Sequence, residues 1–345
     1  MASIQGDLRM REGAGNTLSN LIETFNTMHN MIIQSGMVQV SDSDFTGQSK
    51  LYSADTGTGL TQVVKNIANT SEVDNGYKVY KHPVLSLYFK ISFIDFNQST
   101  AAMSSFAAFK YQFATELNGA GGFNAAKTSI DFMPLDILKA TSGLYVITTS
   151  TFPTTYEKTT VSCGDDYFWI SRDKGIEGTV SNSSYYSLAE RVDYISVGIF
   201  ASDKDPSILC LVRPQYAYNV VSYKFVGATA ANESAQASLR YMLCNNGAWS
   251  ILDNGAAGQL DNPRVTNTID GVRVAQGKLV VNQEFHRFNF GFIPYRSLTS
   301  FSVINLNLTG VSGKYQALPY MGFANHSPPL NDLLNMSSLI FPIVG

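Results

Sequence analysis

Charge is what this chain is short of. Asp, Glu, Lys and Arg make up 15% of its 345 residues, against roughly 25% in ordinary soluble domains. Ser, Thr, Asn, Gln and Gly supply the polar surface instead. Neutral groups of that kind cost less to desolvate than charges when a subunit packs against a neighbour. No run of Lys or Arg occurs and the net charge is −3, so the electrostatic footprint of a nucleic-acid binder is missing. Cysteine is scarce as well. Cys163, Cys210 and Cys244 are odd in number and lack metal-ligand spacing, so they read as small buried apolar residues rather than a disulfide framework. No run of about 18 or more apolar residues is present, so no membrane insertion is expected. The opening MASIQGDLRMREGAGN has no apolar segment, and no secretion signal is expected.

Motifs that carry chemistry are equally thin. His29, His82, His286 and His326 belong to no HExxH, HxH or Cys/His cluster, so a metal site has no local signature. Neither a GxSxG elbow nor a GxxxxGK[ST] loop occurs. The glycines of Gly119–Gly122 lack the lysine and the helix that a phosphate loop needs, and read as a turn. Asp42 and Asp44 with Gly47 lack the other ligands of a calcium loop. Gly164-Asp165-Asp166 stands alone and reads as a tight turn before a strand carrying Phe168 and Ile170. No cofactor is expected. Glycoside hydrolysis needs only two carboxylates, which can come from anywhere in a chain. Asp165, Asp166, Asp173 and Glu190 are the candidates for such an activity, with nothing in their spacing to single them out. Trp169, Trp249, Tyr185 and Tyr186 are the candidates for stacking on a host-surface glycan.

What the chain does have is periodicity. Leu18, Leu21, Ile22, Phe25, Met28, Ile32 and Ile33 fall on one face at helical spacing. Asn16 or Thr17 can cap that helix and Gly36 can end it. His29 lies at the boundary of the stripe, and Met28, Met31 and Met37 suit the filling of gaps. From Leu85 onward the period changes to two: Leu85, Leu87, Phe89, Ile91 and Phe93 alternate with Ser86, Tyr88, Lys90 and Ser92. Phe109, Tyr111 and Phe113 repeat the device, and Asn118–Gly122 supplies a turn. Further short strands are predicted over Gly143–Thr151, Asp166–Asp173, Val192–Phe200, Ser207–Pro214, Asn219–Gly227, Gln236–Cys244, Phe285–Tyr295 and Ser302–Gly310. The expected fold is mainly β, an antiparallel sandwich or barrel-like body with an N-terminal amphipathic helix. The best candidate boundary is the polar Thr151–Thr160, dividing a helix-plus-β region, 1–150, from a second β-rich region, 151–345.

The order of these elements resembles structural proteins of tailed-bacteriophage virions. The resemblance rests on the helix Leu18–Ile33, the strand Pro83–Phe93 with its Pro-Val-x-hydrophobic pattern, and the turn Asn118–Gly121, with looser likeness in GDDYFWISRDKG and ALPYMGFANHSPP. It covers mainly the first 125 residues. It implies a non-enzymatic, β-rich subunit of a tail, baseplate or fibre-attachment region, made in the host cytoplasm and residing in the virion. Its partners would be itself, as a homotrimer or homohexamer, and other virion proteins. Leu18, Leu21, Ile22, Phe25, Met28 and Ile32 are the candidate assembly face. A glycan-binding fibre module and a capsid decoration protein are the alternatives.

Overall fold

The computed structural model describes residues 1–9, 18–43, 52–55, 60–62, 71–97, 106–129, 136–140, 156–173, 194–214, 218–219, 224–225, 239–251, 267–269, 272–293, 302–308, 311–318 and 338–345. The first part of the chain supplies β1 (Ser3–Arg9), α1 (Leu18–Ser35), β2 (Val38–Asp42), β3 (Tyr52–Asp55), β4 (Leu60–Gln62), β5 (Ser71–Lys81), β6 (Tyr88–Asn97), β7 (Phe106–Ala114) and β8 (Asp136–Ala140). The middle supplies β9 (Tyr156–Cys163), β10 (Tyr167–Asp173), β11 (Tyr194–Ala201), β12 (Ile208–Pro214), β13 (Tyr218–Asn219), β14 (Lys224–Phe225), β15 (Leu239–Asn245) and β16 (Ala248–Ile251). The last part supplies β17 (Asn267–Ile269), β18 (Val272–Val281), β19 (Glu284–Ile293), β20 (Val303–Leu308), β21 (Val311–Leu318) and β22 (Ser338–Ile343).

These strands make three antiparallel sheets and two short ribbons, β3-β4 and β13-β14. A five-stranded sheet runs β2-β5-β6-β7-β8, a seven-stranded sheet β1-β9-β10-β11-β12-β15-β16, and a six-stranded sheet β17-β18-β19-β22-β21-β20. The fold is therefore mainly β and sandwich-like, as the alternating patterns predict. β1 pairs with β9 across some 150 residues of sequence, with Ser3 opposite Ser162 and Arg9 opposite Tyr156.

The seven-stranded sheet lies in the middle and is covered on both faces. On one face Tyr167, Trp169, Phe200, Ile208, Cys210 and Val212 form a single core with Leu279, Val281, Phe288, Phe290, Leu318, Leu339 and Phe341 of the six-stranded sheet. On the other face Phe168 meets Phe89 and Phe113 of the five-stranded sheet, with ring centroids 5.0 and 6.5 Å apart. Arg172 reaches the Phe109 ring from the same side. Successive side chains of a strand point to opposite faces. A strand enclosed on both sides reads as a near-continuous apolar run rather than an alternation, and Tyr167, Phe168, Trp169 and Ile170 are all buried in sequence, followed by buried Ser171 and Arg172. So are Ile208, Leu209, Cys210, Leu211 and Val212. Each such side chain contributes about 1.5–3 kcal/mol on full burial.

Gly198 on β11 stands directly opposite Trp169. A Cβ there would lie 2.7 Å from the Phe200 ring and 2.9 Å from the Phe341 ring, so the bare backbone makes room for the aromatic core. The hairpins β15-β16 and β18-β19 close through two-residue loops, Asn246-Gly247 and Asn282-Gln283, with positive φ at all four positions. That backbone suits the right-handed twist of the paired strands.

α1 is the one α-helix among the described residues. Phe25, Met28, Met31 and Ile32 are buried. Phe25 packs edge-on to Phe109 at 5.8 Å, and the Met31 sulfur lies where a side chain on Gly6 of β1 would stand. The stripe differs from expectation at one edge: Ile33 is exposed, and Met31 takes the inward position. The strand predicted from Leu85 begins only at Tyr88. Pro83 cannot join a ladder, and the His82 side chain captures the next two free amides, so 82–87 folds into a compact turn with Leu85 and Leu87 still facing inward. The predicted strand at Gly143–Thr151 lies outside the described residues. Of the one predicted at Asn219–Gly227, only Asn219 and the pair Lys224–Phe225 are described.

Candidate functional site

The polar side chains worth testing for chemistry fall at three places, all of them seams between sheets. The first is the turn between β9 and β10. Asp165 there is exposed, while Asp166 is half-buried and accepts a 3.5 Å hydrogen bond from Asn289 Nδ2 on β19. The Tyr315 hydroxyl on β21 donates to Asn289 Oδ1. Burial pushes the Asp166 carboxyl above its ordinary range, against the opposing pull of the Asn289 bond. Burial likewise raises the Tyr315 phenol, and pushes Tyr167 up to about 12. The Asp166 backbone carbonyl accepts from Ala201 N at 2.7 Å. As predicted, Gly164-Asp165-Asp166 is a turn, closed by Gly164 N donating to Tyr167 O. Its carboxylates sit in different environments, and Asp166 serves to tie the central sheet to the six-stranded one.

The second place joins β11 to β19. Ser202 Oγ lies 2.7 Å from His286 Nδ1, and both residues are buried. A Ser–His contact suggests an activated nucleophile. The surroundings argue for a different use. Ser202 Oγ already accepts from Lys204 N at 3.1 Å, and Asp205 N lies at 3.5 Å, the geometry of a turn stapled by its own hydroxyl. Asp205, in the same turn, accepts from Ser207 N and Ser207 Oγ, which hold it below the usual carboxylate range. Asp203 and Arg287 exchange hydrogen bonds across the same seam, Asp203 N to Arg287 O at 2.9 Å and Arg287 N to Asp203 Oδ1 at 3.0 Å. The cluster pins one end of the central sheet to the six-stranded sheet.

The third place is His82, between the five-stranded and central sheets. Its Nε2 lies 3.1 Å from Tyr167 O, and its Nδ1 accepts from Val84 N at 3.2 Å and Leu85 N at 3.0 Å. Desolvation lowers its affinity for a second proton, outweighing the carbonyls of Tyr167 and Gly164 and the charge of Asp165. Nearby, His29 Nδ1 on α1 lies 2.8 Å from the Tyr80 hydroxyl on β5.

The two tryptophans are ties of the same kind. Trp169 is fully buried, its indole N–H donates to Pro342 O at 2.6 Å, and its ring packs on Phe341 at 5.5 Å. A ring so enclosed has no face to offer a sugar. Trp249 is half-buried and donates to Lys127 O at 3.0 Å, joining the central sheet to the loop after β7.

No family model and no curated protein sequence matches the chain.

Tyr185, Tyr186 and Glu190 lie outside the described residues, as do the side chains of Leu18, Leu21, Ile22 and Asp173. Phe25, Met28 and Ile32 of the candidate assembly face are packed inside the chain itself. Among the described residues, no group of three or more His, Cys, Asp or Glu is placed to hold a metal ion, and no helix is long and apolar enough to cross a membrane. Cys163, Cys210 and Cys244 are all buried as free thiols, as predicted from their number and spacing. The Ser202 and His82 ties were missed by sequence reasoning. The signals for them were present in the turn-forming Ser-Asp-Lys-Asp-Pro of 202–206 and in the His-Pro step at 82–83.

Proposed function

We propose that the chain is a structural subunit of a tailed-bacteriophage virion, in the tail, baseplate or fibre-attachment region, and that it works by assembly contacts. The observation that carries this reading is how its reactive and aromatic side chains are used. Trp169, Trp249, His82, Ser202, His286 and Asp166 each bind one sheet or its loops to another. A body bolted together in this way suits a part whose product is a rigid shape. The order of helix, Pro83–Phe93 segment and Asn118–Gly121 turn, and the low charged fraction of the chain, support the same reading.

The leading helix with a β-sandwich body is the finer form of this architecture. Because Phe25, Met28 and Ile32 are committed to the chain's own core, the helix would contribute to assembly through its open side. Ile33 there, with Val38 and Val40 on the edge strand β2, is exposed. Closed symmetry is the usual outcome of such contacts, so a trimer or hexamer is expected. Mass spectrometry of purified particles tests the placement: the chain should be present at a fixed copy number. Its absence from intact virions would overturn the proposal. Light scattering of the isolated 37.7 kDa chain should give three or six times that mass, and a concentration-independent monomer would count against the assembly mechanism.

A further inference from the structure

His82 follows the last residue of β5 and opens the connection to β6. Its ring is fully buried, and its hydrogen bonds with Tyr167 O, Val84 N and Leu85 N demand one protonation state. Nε2 must carry a proton to donate to Tyr167 O. Nδ1 must be bare to accept from Val84 N and Leu85 N. A proton on Nδ1 would set one donor against two others. His29 is built differently: its partner is a hydroxyl, which can reverse its role, so protonation there need break nothing.

The segment that His82 holds is closed by hydrogen bonds of its own. His82 N donates to Leu87 O at 2.9 Å and Leu87 N to Leu85 O at 2.8 Å, closing 82–87 on itself. Leu85 and Leu87 lie beneath it, while Pro83, Val84 and Ser86 are open to solvent. The charged and titratable groups around the ring are few. Lys81 precedes it on β5 and is exposed. Asp165, on the β9-β10 turn, favours the added proton. Cys163 and Tyr167 across the seam stay neutral, each pushed up to about 12 by burial.

We propose that His82 is an acid-operated latch: a proton taken from solvent at Nδ1 breaks its bonds to Val84 and Leu85, frees the 82–87 connection from the central sheet, and uncovers Leu85 and Leu87. The released imidazole binds a proton with the ordinary value of about 6.5, and the closed one binds it less readily. The latch is therefore fully shut above about pH 6.5 and weakens as pH falls below it. Within that window the open population rises about ten-fold per pH unit, the slope for uptake of one proton.

Hydrogen exchange of the full chain, with rates corrected for intrinsic pH dependence, tests this between pH 7.5 and 5. Protection at Val84 and Leu85 should fall about ten-fold per pH unit below the threshold, while Ile170 and Val197 in the central ladder keep theirs. His82→Asn should abolish the pH step, because its side-chain oxygen can accept the same two amides without titrating. Ring nitrogen-15 shifts of the wild type provide a readout that does not depend on the variant folding. The ring should hold the Nε2–H tautomer at pH 7.5 and become protonated with the same midpoint at which protection is lost. Three results would overturn the latch: protonation with protection retained, an identical pH step in the Asn variant, or loss of protection only with global unfolding.

Discussion

Replacing Trp169 by Phe isolates the bond between the central and six-stranded sheets. The substitution keeps an aromatic ring in the core but removes the N–H that donates to Pro342 O at 2.6 Å. Both groups are buried, so the carbonyl is left without its partner, at about 1–3 kcal/mol. The lost part of the indole also leaves unfilled space beside Phe341 and Phe200, which adds about 1 kcal/mol on the scale of small core deletions. The expected total is about 2–4 kcal/mol, a large share of the roughly 5–15 kcal/mol that holds a domain folded. Urea unfolding followed by far-ultraviolet circular dichroism reads it as a lower midpoint at unchanged slope. The chain has only two tryptophans, so the variant also leaves Trp249 as the sole tryptophan reporter. The converse variant, Trp249→Phe, leaves Trp169, whose emission should be blue-shifted and closed to acrylamide until the fold is lost. A cost below about 0.5 kcal/mol, within the range of ordinary surface substitutions, would refute the reasoning. So would ready quenching of Trp169 in the native state.

Gly198→Ala should destabilise by about 1–3 kcal/mol through overpacking, since its Cβ would press on Phe200 and Phe341. An unchanged urea midpoint would show that the two rings can yield. Asp166→Asn should raise the urea midpoint at pH 7. Burial raises the carboxyl's folded value, so its favourable contribution is present only below the unfolded value of about 3.9 and is lost as pH rises through the folded one. The gain should shrink as the pH is lowered toward that point, and a loss of stability at pH 7 would contradict it. Ellman's reagent should label no thiol in the native chain and three in denaturant. All three cysteines are buried, with Cys163 pushed up to about 12 and Cys244 to about 11. Prompt labelling of any one would place it at the surface.

The sequence was most legible where burial is one-sided. The alternation of Phe109, Tyr111 and Phe113 marks a strand because these rings share one face of β7, the face that meets Phe25 and Phe168, and the spacing of Phe25, Met28 and Ile32 marks α1 because they share one buried face of the helix. The central sheet is harder to recognise. In YFWI and ILCLV the alternation disappears because both faces are covered, and a continuous apolar run does not say what lies on either side. Nor does any local pattern announce that Ser3 will lie beside Ser162. The role of Trp169 was hidden for a related reason. The same indole serves a buried seam or an open sugar platform, and only the position of Pro342, far away in sequence, distinguishes them. The histidine and serine ties depend on partners from other sheets in the same way.

The place of β22 within its sheet has a consequence for how the chain is made. Its residues, Ser338–Ile343, lie between β19 and β21, pairing with both. They bring Leu339 and Phe341 into the core over Trp169 and the carbonyl that the indole needs. Until residue 343 has left the ribosome, the six-stranded sheet remains in two pieces, and one face of the central sheet lacks its cover. Translation adds about 5–20 residues per second, so the apolar strands around Trp169 and Cys210 emerge well before the strand that covers them. That interval is when the chain is open to pairing with the wrong partner, and slowing or truncating synthesis before Ser338 should raise the aggregated fraction of the product.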